Sequence, residues 1–222
     1  DSDEFRYMVQ GLFPKKGGVI EGGWMPLLAE TDLRFVADVG GFNNPKLGID
    51  PSGEGSNKSA FVLRDNFKAK IVALEDKSTP KSIAEIGLTI AQNYHVASGN
   101  VTVDSFGVGA NVSQEYALSI QERVQAINVG EKADDSTRFI NKRSELYWRL
   151  REWLLKGGQL VKHEAWKQLL TIYYKRNLSG KIQLMSKQEM ATNGWDSPDC
   201  ADALSLCFNT ERSSGDSLQA VE

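Results

Sequence analysis

Three consecutive β-strands joined by short turns limit most strongly what this chain can fold into. The first strand is the short apolar run 46–50, which ends on an acid and leads into a glycine-rich turn. Two further runs at 59–64 and 70–74 are joined through Asp65-Asn66, as in a hairpin. Strands connected so closely pair antiparallel, and the sequence therefore predicts an antiparallel meander near the start of the domain.

Helices and strands alternate after this meander. The segment 80–94 has apolar residues at helical spacing and opens with Thr79-Pro80, a typical capped helix start. The later predicted elements are strands at 101–104 and 124–127, helices at 138–156 and 163–171, short strands at 172–174 and 181–184, and a last helix at 197–208. This order predicts an α/β fold, with a mixed five-stranded sheet flanked by helices on both faces.

The length of 222 residues suits one domain with appendages. Residues 1–44 contain several glycine pairs and are predicted to be an irregular connecting arm, 45–208 the domain, and 209–222 a polar, disordered tail. Because the chain begins with aspartate, we expect it to be a part of a longer protein.

Composition narrows the functional classes. The formal net charge is −3, which argues against a uniformly basic nucleic-acid binder but allows a local basic face. Cys200 and Cys207 form neither a disulfide framework nor a CxxC pair, and both are predicted to be small core groups, as in a reducing cytoplasm. No apolar run approaches the ~20 residues of a membrane span, so a soluble protein is expected.

Four aspartates lie at the ends of predicted strands or near the start of a predicted helix. Asp50 and Asp104 each end a predicted strand, at the edge of an α/β sheet where ligands bind. In the last helix Ser197 is predicted as N-cap and Pro198 as the first residue, which places Asp199 and Asp202 on one face. If this helix packs beside the first strand, four carboxylates converge. Such a cluster suits Mg²⁺ or Mn²⁺, which prefer oxygen ligands, and two such ions can activate water against a phosphodiester.

Four blocks of residues, in this order, resemble those of the nuclease domain of tailed-phage terminase large subunits. The blocks are Gly48-Ile49-Asp50-Pro51; Val103-Asp104-Ser105-Phe106-Gly107-Val108-Gly109; Asn141-Lys142-Arg143-Ser144-Glu145-Leu146-Tyr147-Trp148; and Ser186-Lys187-Gln188-Glu189-Met190 with Gly194 and Ser197-Pro198-Asp199-Cys200-Ala201-Asp202-Ala203-Leu204-Ser205-Leu206. The Asp-x-x-Asp-Ala-Leu element is also similar to that of Holliday-junction resolvases. The blocks span about residues 46–208.

The resemblance implies a ribonuclease-H-like endonuclease domain that cuts concatemeric viral DNA with two divalent cations, Mg²⁺ or Mn²⁺. Asp50, Asp104, Asp202 and Asp199 would be the catalytic metal ligands, with Asp50 bridging the ions. The implied partners are double-stranded viral DNA, a packaging ATPase domain of the same polypeptide, the portal and the small terminase subunit. The implied location is the host bacterial cytoplasm, transiently at the prohead portal, with no membrane partner. The P-loop of a packaging motor is absent from this sequence.

The residues themselves leave alternatives open. An acid in the first turn, such as Asp199, is also favoured by the helix dipole, whereas Asp202 lies among core residues that rarely tolerate an unpaired carboxylate. Glu54 is a weaker candidate for a further ligand, since a solvated loop acid is the simpler interpretation. His95 is expected to lie at a helix end and His163 on the surface, and neither is expected to be catalytic.

Two charged side chains of the long helix, and a third that precedes the last helix, allow two interpretations as well. Lys142, Arg143 and Lys187 are predicted to contact DNA phosphates, although a solvated face is the default for such charges. The aromatic side chains of the long helix are expected in the core, and they are Tyr147, Trp148 and Trp153.

Two other functional classes compete with a nuclease. An actin-like or sugar-kinase ATPase also begins with a strand, an aspartate and a glycine-rich turn. It would need a second Asp-Gly-rich phosphate loop and a late Gly-Gly adenosine motif, neither of which occurs here. The other is a noncatalytic module for gripping DNA or docking on the portal, in which the aspartates would only bind ions.

Overall fold

A computed structural model describes residues 21–52, 58–76, 78–120 and 124–209. Its strands are β1 (Met25–Pro26), β2 (Phe35–Val36), β3 (Lys46–Asp50), β4 (Lys58–Arg64), β5 (Lys68–Asp76), β6 (Val101–Asp104), β7 (Gln125–Ile127), β8 (Gln159–Val161), β9 (Tyr173–Arg176) and β10 (Ile182–Leu184). Its α-helices are α1 (Pro80–Asn93), α2 (Gly109–Ile120), α3 (Lys142–Leu155), α4 (Lys187–Thr192) and α5 (Asp199–Leu206). Short 3₁₀ helices lie at Glu21–Gly23, Glu30–Asp32, Ser98–Asn100 and Glu164–Thr171.

The main sheet has the strand order β2-β8-β5-β4-β3-β6-β7. β3, β4 and β5 pair antiparallel, whereas β6 lies parallel to β3 and β7 parallel to β6. The predicted mixed sheet with an antiparallel start is confirmed. It has seven strands among the described residues, two more than the five predicted, because the short strands β2 and β8 extend it beyond β5. Strands of two and three residues are too short to show a periodic pattern.

Side chains of the central strands alternate between two cores. Phe61 and Leu63 pack on one face of the sheet with α1 and α2, whereas Ala60 and Val62 pack on the other with α3 and α5. Burial on both faces explains why β3 and β4 are almost continuously apolar. The prediction that helices cover both faces is confirmed.

The observed helices agree with the predicted ones in part and differ from them in their starting residue or helix type. Thr79 caps α1 as predicted, accepting a hydrogen bond from the Ser82 backbone. α3 begins only at Lys142, because the Asn141 side chain caps it there. The predicted helix at 163–171 is a 3₁₀ helix, and α4 was not predicted as a helix.

The sequence pattern also failed to indicate α2. Only two of its described side chains, Val112 and Tyr116, are buried apolar groups, so its amphipathic signal is weak. Two apolar positions one turn apart are compatible with a loop as well as with a helix.

The described part of the predicted arm, 21–44, packs on the domain. β1 pairs with β9 and β2 with β8, and Trp24, Leu27 and Leu28 lie in the core beside α3. The predicted short strands near 172–174 and 181–184 are present as β9 and β10. Residues 1–20 and 210–222 lie outside the described part, so the role of the arm as a connector and the disorder of the tail stay predictions. None of the described helices has the length and apolarity needed to cross a bilayer.

Candidate metal and nuclease site

Two predicted site residues end neighbouring strands. Asp50 is the last residue of β3 and Asp104 the last of β6, and these strands run parallel with Ile49 opposite Val103. Both carboxylates therefore emerge at the same edge of the sheet. Because side chains alternate along a strand, Asp50 lies on the same face as Gly48, which is the face covered by α5.

Helix α5 approaches β3 unusually closely. A Cβ atom added to Gly48 would overlap the carbonyl oxygen of Ala203, so only glycine allows this contact. The approach brings Asp199 and Asp202, in the first turn of α5, toward the strand ends. The prediction of Ser197 as N-cap was wrong: Pro198 occupies that position and makes no side-chain cap. The helix begins one residue later than the pattern indicated.

Three of the four predicted acids line one small cavity. Asp50, Asp104 and Asp202 surround about 20 Å³ together with Arg143 and Lys187. The remaining lining residues are Val129, Ser205 and Leu206.

Asp199 does not line this cavity. Its Oδ2 accepts a hydrogen bond from the backbone N–H of Lys58 at 3.0 Å. Its charge nevertheless acts on the carboxyl group of Asp50. Asp199 therefore borders the cluster, and Asp202 lies within it.

Cations surround Asp202. Lys187 Nζ lies 2.8 Å from its Oδ2, and Arg143 donates to its Oδ1 at 3.3 and 3.4 Å. Burial opposes ionisation, but the charges of Lys187 and Arg143 outweigh it and hold the pKa of Asp202 below its usual value. Asp202 is therefore an anion at neutral pH.

Asp50, Asp104 and Asp199 have too few positive partners to offset the effect of burial on their pKa values. Burial, together with the charges of the neighbouring acids, raises the pKa of Asp50 well above its usual value, although Lys187 lowers it in part. Burial also raises the pKa values of Asp104 and Asp199, and hydrogen bonds from backbone N–H groups offset this only partly. The cluster carries more negative charge than its own cations balance.

This excess charge suits an additional cation. Asp202 Oδ2 is buried, and among the contacts described it meets only the ammonium group of Lys187, at 2.8 Å. In the described residues no group of three or more histidine, cysteine or acidic side chains is already arranged around a metal position. The carboxylate oxygens of the cluster are nevertheless the ligand type that hard divalent ions prefer, and Lys187 contacts one of these carboxylates, that of Asp202.

The three predicted phosphate-binding residues have different surroundings. Arg143 and Lys187 lie in the site, where both contact Asp202. The structure does not bring Lys142 there. Its ammonium group contacts Asp134 at 2.5 Å and Glu145 at 3.8 Å, and only 8% of the residue is exposed.

The contact between Tyr147 and Asp202 was not predicted from the sequence. Its ring is buried in the core as expected, but its hydroxyl donates to Asp202 Oδ1 at 2.7 Å. Burial and the Asp202 charge raise its pKa well above the usual value, so the hydroxyl keeps its proton. The available signal was its position four residues after Arg143, which places both on one helix face.

The two candidate histidines do not line the cavity. Glu54 falls outside the described residues. His95 follows the end of α1, and the His163 side chain caps a 3₁₀ helix by accepting from Ala165 N. Cys200 and Cys207 are buried and free of disulfides, as predicted.

The aromatic residues of α3 contact other core groups. Trp148 meets Tyr174 edge-on at 5.3 Å between ring centroids, and Trp153 meets Phe208 at 5.9 Å. The surface beside the acids carries a different aromatic residue. Phe106 is 74% exposed two residues after Asp104, and its backbone N–H donates to Asp104 Oδ1 at 3.1 Å.

Comparisons with known proteins agree with this architecture. No family model and no curated protein matches the sequence. Among solved structures, the nuclease domain of the large terminase subunit gp2 of bacterial virus Sf6 is 20% identical with a TM-score of 0.67, covering 79% of this chain and 92% of that one. The large terminase nuclease from thermophilic phage G20c is 16% identical with a TM-score of 0.59, covering 82% and 96%.

A third similar structure is the large terminase nuclease domain of Thermus phage P74-26, with a TM-score of 0.55 at 16% identity, covering 80% of this chain and 90% of that one. The class of fold is thus the ribonuclease-H-like mixed α/β sheet, as predicted. More particularly, it is the fold of phage large-terminase nuclease domains. Some of these neighbours were determined with manganese, calcium, cobalt or magnesium.

Proposed function

We propose that this chain is the metal-dependent endonuclease domain of a viral DNA-packaging terminase large subunit, which hydrolyses phosphodiester bonds in concatemeric double-stranded DNA. The observation that carries the proposal is the meeting of Asp50, Asp104 and Asp202 in one cavity at the sheet edge. These acids come from two strands and one helix far apart in the chain. The shared fold of terminase nuclease domains supports the same function.

Asp50, Asp104 and Asp202 are the residues that would hold the metal, with Asp199 as an outer member of the cluster. Two Mg²⁺ or Mn²⁺ ions would supply an activated water and stabilisation of the leaving oxygen. Asp50 would be a central member of this ligand set, because its carboxyl group senses the charges of all three other acids. Asp104 is held by the Phe106 backbone N–H, which fixes the direction of its side chain.

Lys187 acts as an internal counter-ion while the acids lack metal. The cavity of about 20 Å³ has room for about one water-sized group, since a water needs roughly 10–15 Å³. Two divalent ions would need more space than this, and Lys187, whose ammonium group lies 2.8 Å from Asp202 Oδ2, is the side chain that would have to give way to them. Its side chain is 51% exposed, which leaves it free to move.

We propose that the DNA backbone crosses the edge of the sheet at which Asp50 and Asp104 lie. Lys187, once displaced from Asp202, is the favoured phosphate contact of the three residues considered. Arg143 is engaged by Asp202 and by the Met185 carbonyl oxygen. Lys142 is engaged by Asp134 and Glu145 and is assigned a structural role.

The wider context follows from the proposed family. The partners would be a packaging ATPase domain of the same polypeptide, the portal and the small terminase subunit. The place of action would be the host bacterial cytoplasm, transiently at the prohead portal. The structural neighbours are themselves nuclease domains of large terminase subunits, which supports this setting.

A plasmid cleavage assay tests the proposal. The wild-type domain should nick and linearise supercoiled plasmid in Mn²⁺ or Mg²⁺ and not in EDTA. Asp50→Ala and Asp104→Ala should abolish cleavage while circular dichroism shows an intact fold, because loss of one of several repelling carboxylates spares the packing. Asp76→Ala is the matched control: this acid ends β5 and pairs with Lys58, and its loss should leave cleavage unchanged.

Retained cleavage by both site variants in Mn²⁺ would contradict the assignment of these acids. A wild-type domain that binds DNA but never cuts it would instead favour a noncatalytic DNA-gripping or portal-docking module.

A further inference from the structure

The two oxygens of the Asp202 carboxylate have different partners. Oδ1 accepts hydrogen bonds from the Tyr147 hydroxyl at 2.7 Å and from Arg143 at 3.3 and 3.4 Å. Oδ2 meets only the ammonium group of Lys187 among the contacts described, at 2.8 Å. Oδ1 is therefore held by side chains of α3, and Oδ2 meets Lys187, which lines the cavity together with Asp202.

The partners of Oδ1 are themselves fixed. Tyr147 is fully buried on α3, and Arg143 precedes it by one helical turn on the same face. The guanidinium carbon of Arg143 lies 5.1 Å from the centroid of the Tyr147 ring, and its NH1 donates to the Met185 carbonyl at 2.9 Å. Such a pair cannot follow a rotation of the carboxylate without losing these contacts.

Resting on the proposed function, we propose that Tyr147 and Arg143 are positioning residues that hold Asp202 by Oδ1 and so present Oδ2 alone to the metal. A carboxylate held in this way would offer one oxygen to a cation, because turning to offer both would break the hydrogen bonds to Oδ1. Hydrogen bonds to a ligand from its outer partners also orient it before the ion arrives. Lys187 occupies the ion-facing side in the meantime.

Tyr147→Phe is the most informative test because it keeps the ring and its packing and removes one hydroxyl. The dissociation constant for Mn²⁺ is measured by isothermal titration calorimetry without DNA, and kcat and KM are measured on plasmid. Loss of an outer-shell partner typically weakens metal binding or activity by about 10- to 100-fold. We expect a loss of that size in Mn²⁺ affinity and in kcat, with KM for DNA nearly unchanged.

Tyr116→Phe is the matched control. Tyr116 is also buried, at 1% exposed, but it packs in the other core with α1 and α2. The same chemical change there should leave the Mn²⁺ dissociation constant and kcat at wild-type values. Arg143→Lys, which keeps the charge but loses the planar fork, should weaken Mn²⁺ binding less than Arg143→Ala does.

A Tyr147→Phe variant that binds Mn²⁺ and cleaves plasmid as well as Tyr116→Phe would overturn the positioning role and leave the nuclease proposal intact. A structural role alone would lower thermal stability without changing Mn²⁺ affinity, and that result would also overturn it. Failure of the wild-type protein itself to bind Mn²⁺ and to cleave would overturn both proposals.

Discussion

Asp50→Asn is expected to stabilise the metal-free protein and to remove its response to Mn²⁺. Asp50 is 7% exposed and its carboxylate is surrounded by other acids, so the folded state without metal contains a repelling, desolvated charge. Asparagine has nearly the same shape and no charge. A site built to bind cations should therefore be a source of instability when it lacks them.

The expected change in stability has two parts, one from the loss of the Asp50 charge and one from the loss of Mn²⁺ binding. Removing one unfavourable buried charge of this kind stabilises a protein by about 0.5–2 kcal/mol. For a protein of this size that raises the Tm by about 1–8 °C. Mn²⁺ at about 100 times its dissociation constant should stabilise the wild-type protein by about 2.7 kcal/mol, and Asp50→Asn should lose most of that gain.

The measurement is thermal unfolding at pH 7.5 in EDTA and in Mn²⁺, with Asp65→Asn as the matched control. Asp65 is 6% exposed and follows β4 at the opposite edge of the sheet. Its carboxylate accepts hydrogen bonds from three backbone N–H groups, so asparagine should cost about 1–3 kcal/mol there. A lower Tm of Asp50→Asn in EDTA, or an undiminished Mn²⁺ shift, would refute the reasoning.

Three further predictions concern other parts of the site. Lys187→Ala should tighten Mn²⁺ binding about fivefold by calorimetry, because a half-exposed ion pair contributes about 1 kcal/mol, and unchanged or weaker binding would exclude the counter-ion role. Gly48→Ala should lower the free energy of unfolding by about 1–3 kcal/mol in a urea titration, because the new methyl group overlaps a carbonyl oxygen of α5; Gly41→Ala, which meets nothing within 4 Å, should have little effect, and equal losses would count against the explanation. Phe106→Ala should weaken binding of labelled single-stranded DNA in EDTA by about fivefold or more in fluorescence anisotropy, because unpaired bases can stack on its exposed ring. Phe67→Ala, similarly exposed beyond the opposite sheet edge, should not, and equal affinities would argue against the proposed DNA path.

The main sheet could be predicted largely from local patterns. Apolar runs ending in Asp50 and Asp104 indicated strands whose ends carry acids, and the Thr79-Pro80 pair indicated the start of α1. These signals depend on neighbours within a few residues, so the chain itself carries them. The short strands β1, β2 and β8 and the helix α2 lacked such signals and were not predicted.

The surroundings of each charged side chain could not be predicted in the same way. Lys142 and Arg143 are adjacent in the sequence and were given the same role, yet one pairs with Asp134 and the other with Asp202. Successive helical residues point about 100° apart, so neighbours in the chain face different surroundings. The packing of α3 decides which acid each cation meets.

The sequence by itself determined the longer strands of the main sheet, the positions of the acids at their ends and the charge that those acids would share. Only the tertiary structure decided that Asp202 lies in the cavity while Asp199 borders it, and that one oxygen of Asp202 is held by a tyrosine 55 residues away. The physical reason is the distance along the chain over which each kind of interaction acts. Strand and helix patterns arise from interactions within a few residues, whereas the direction of a buried carboxylate depends on hydrogen bonds between elements that meet only after the chain has folded.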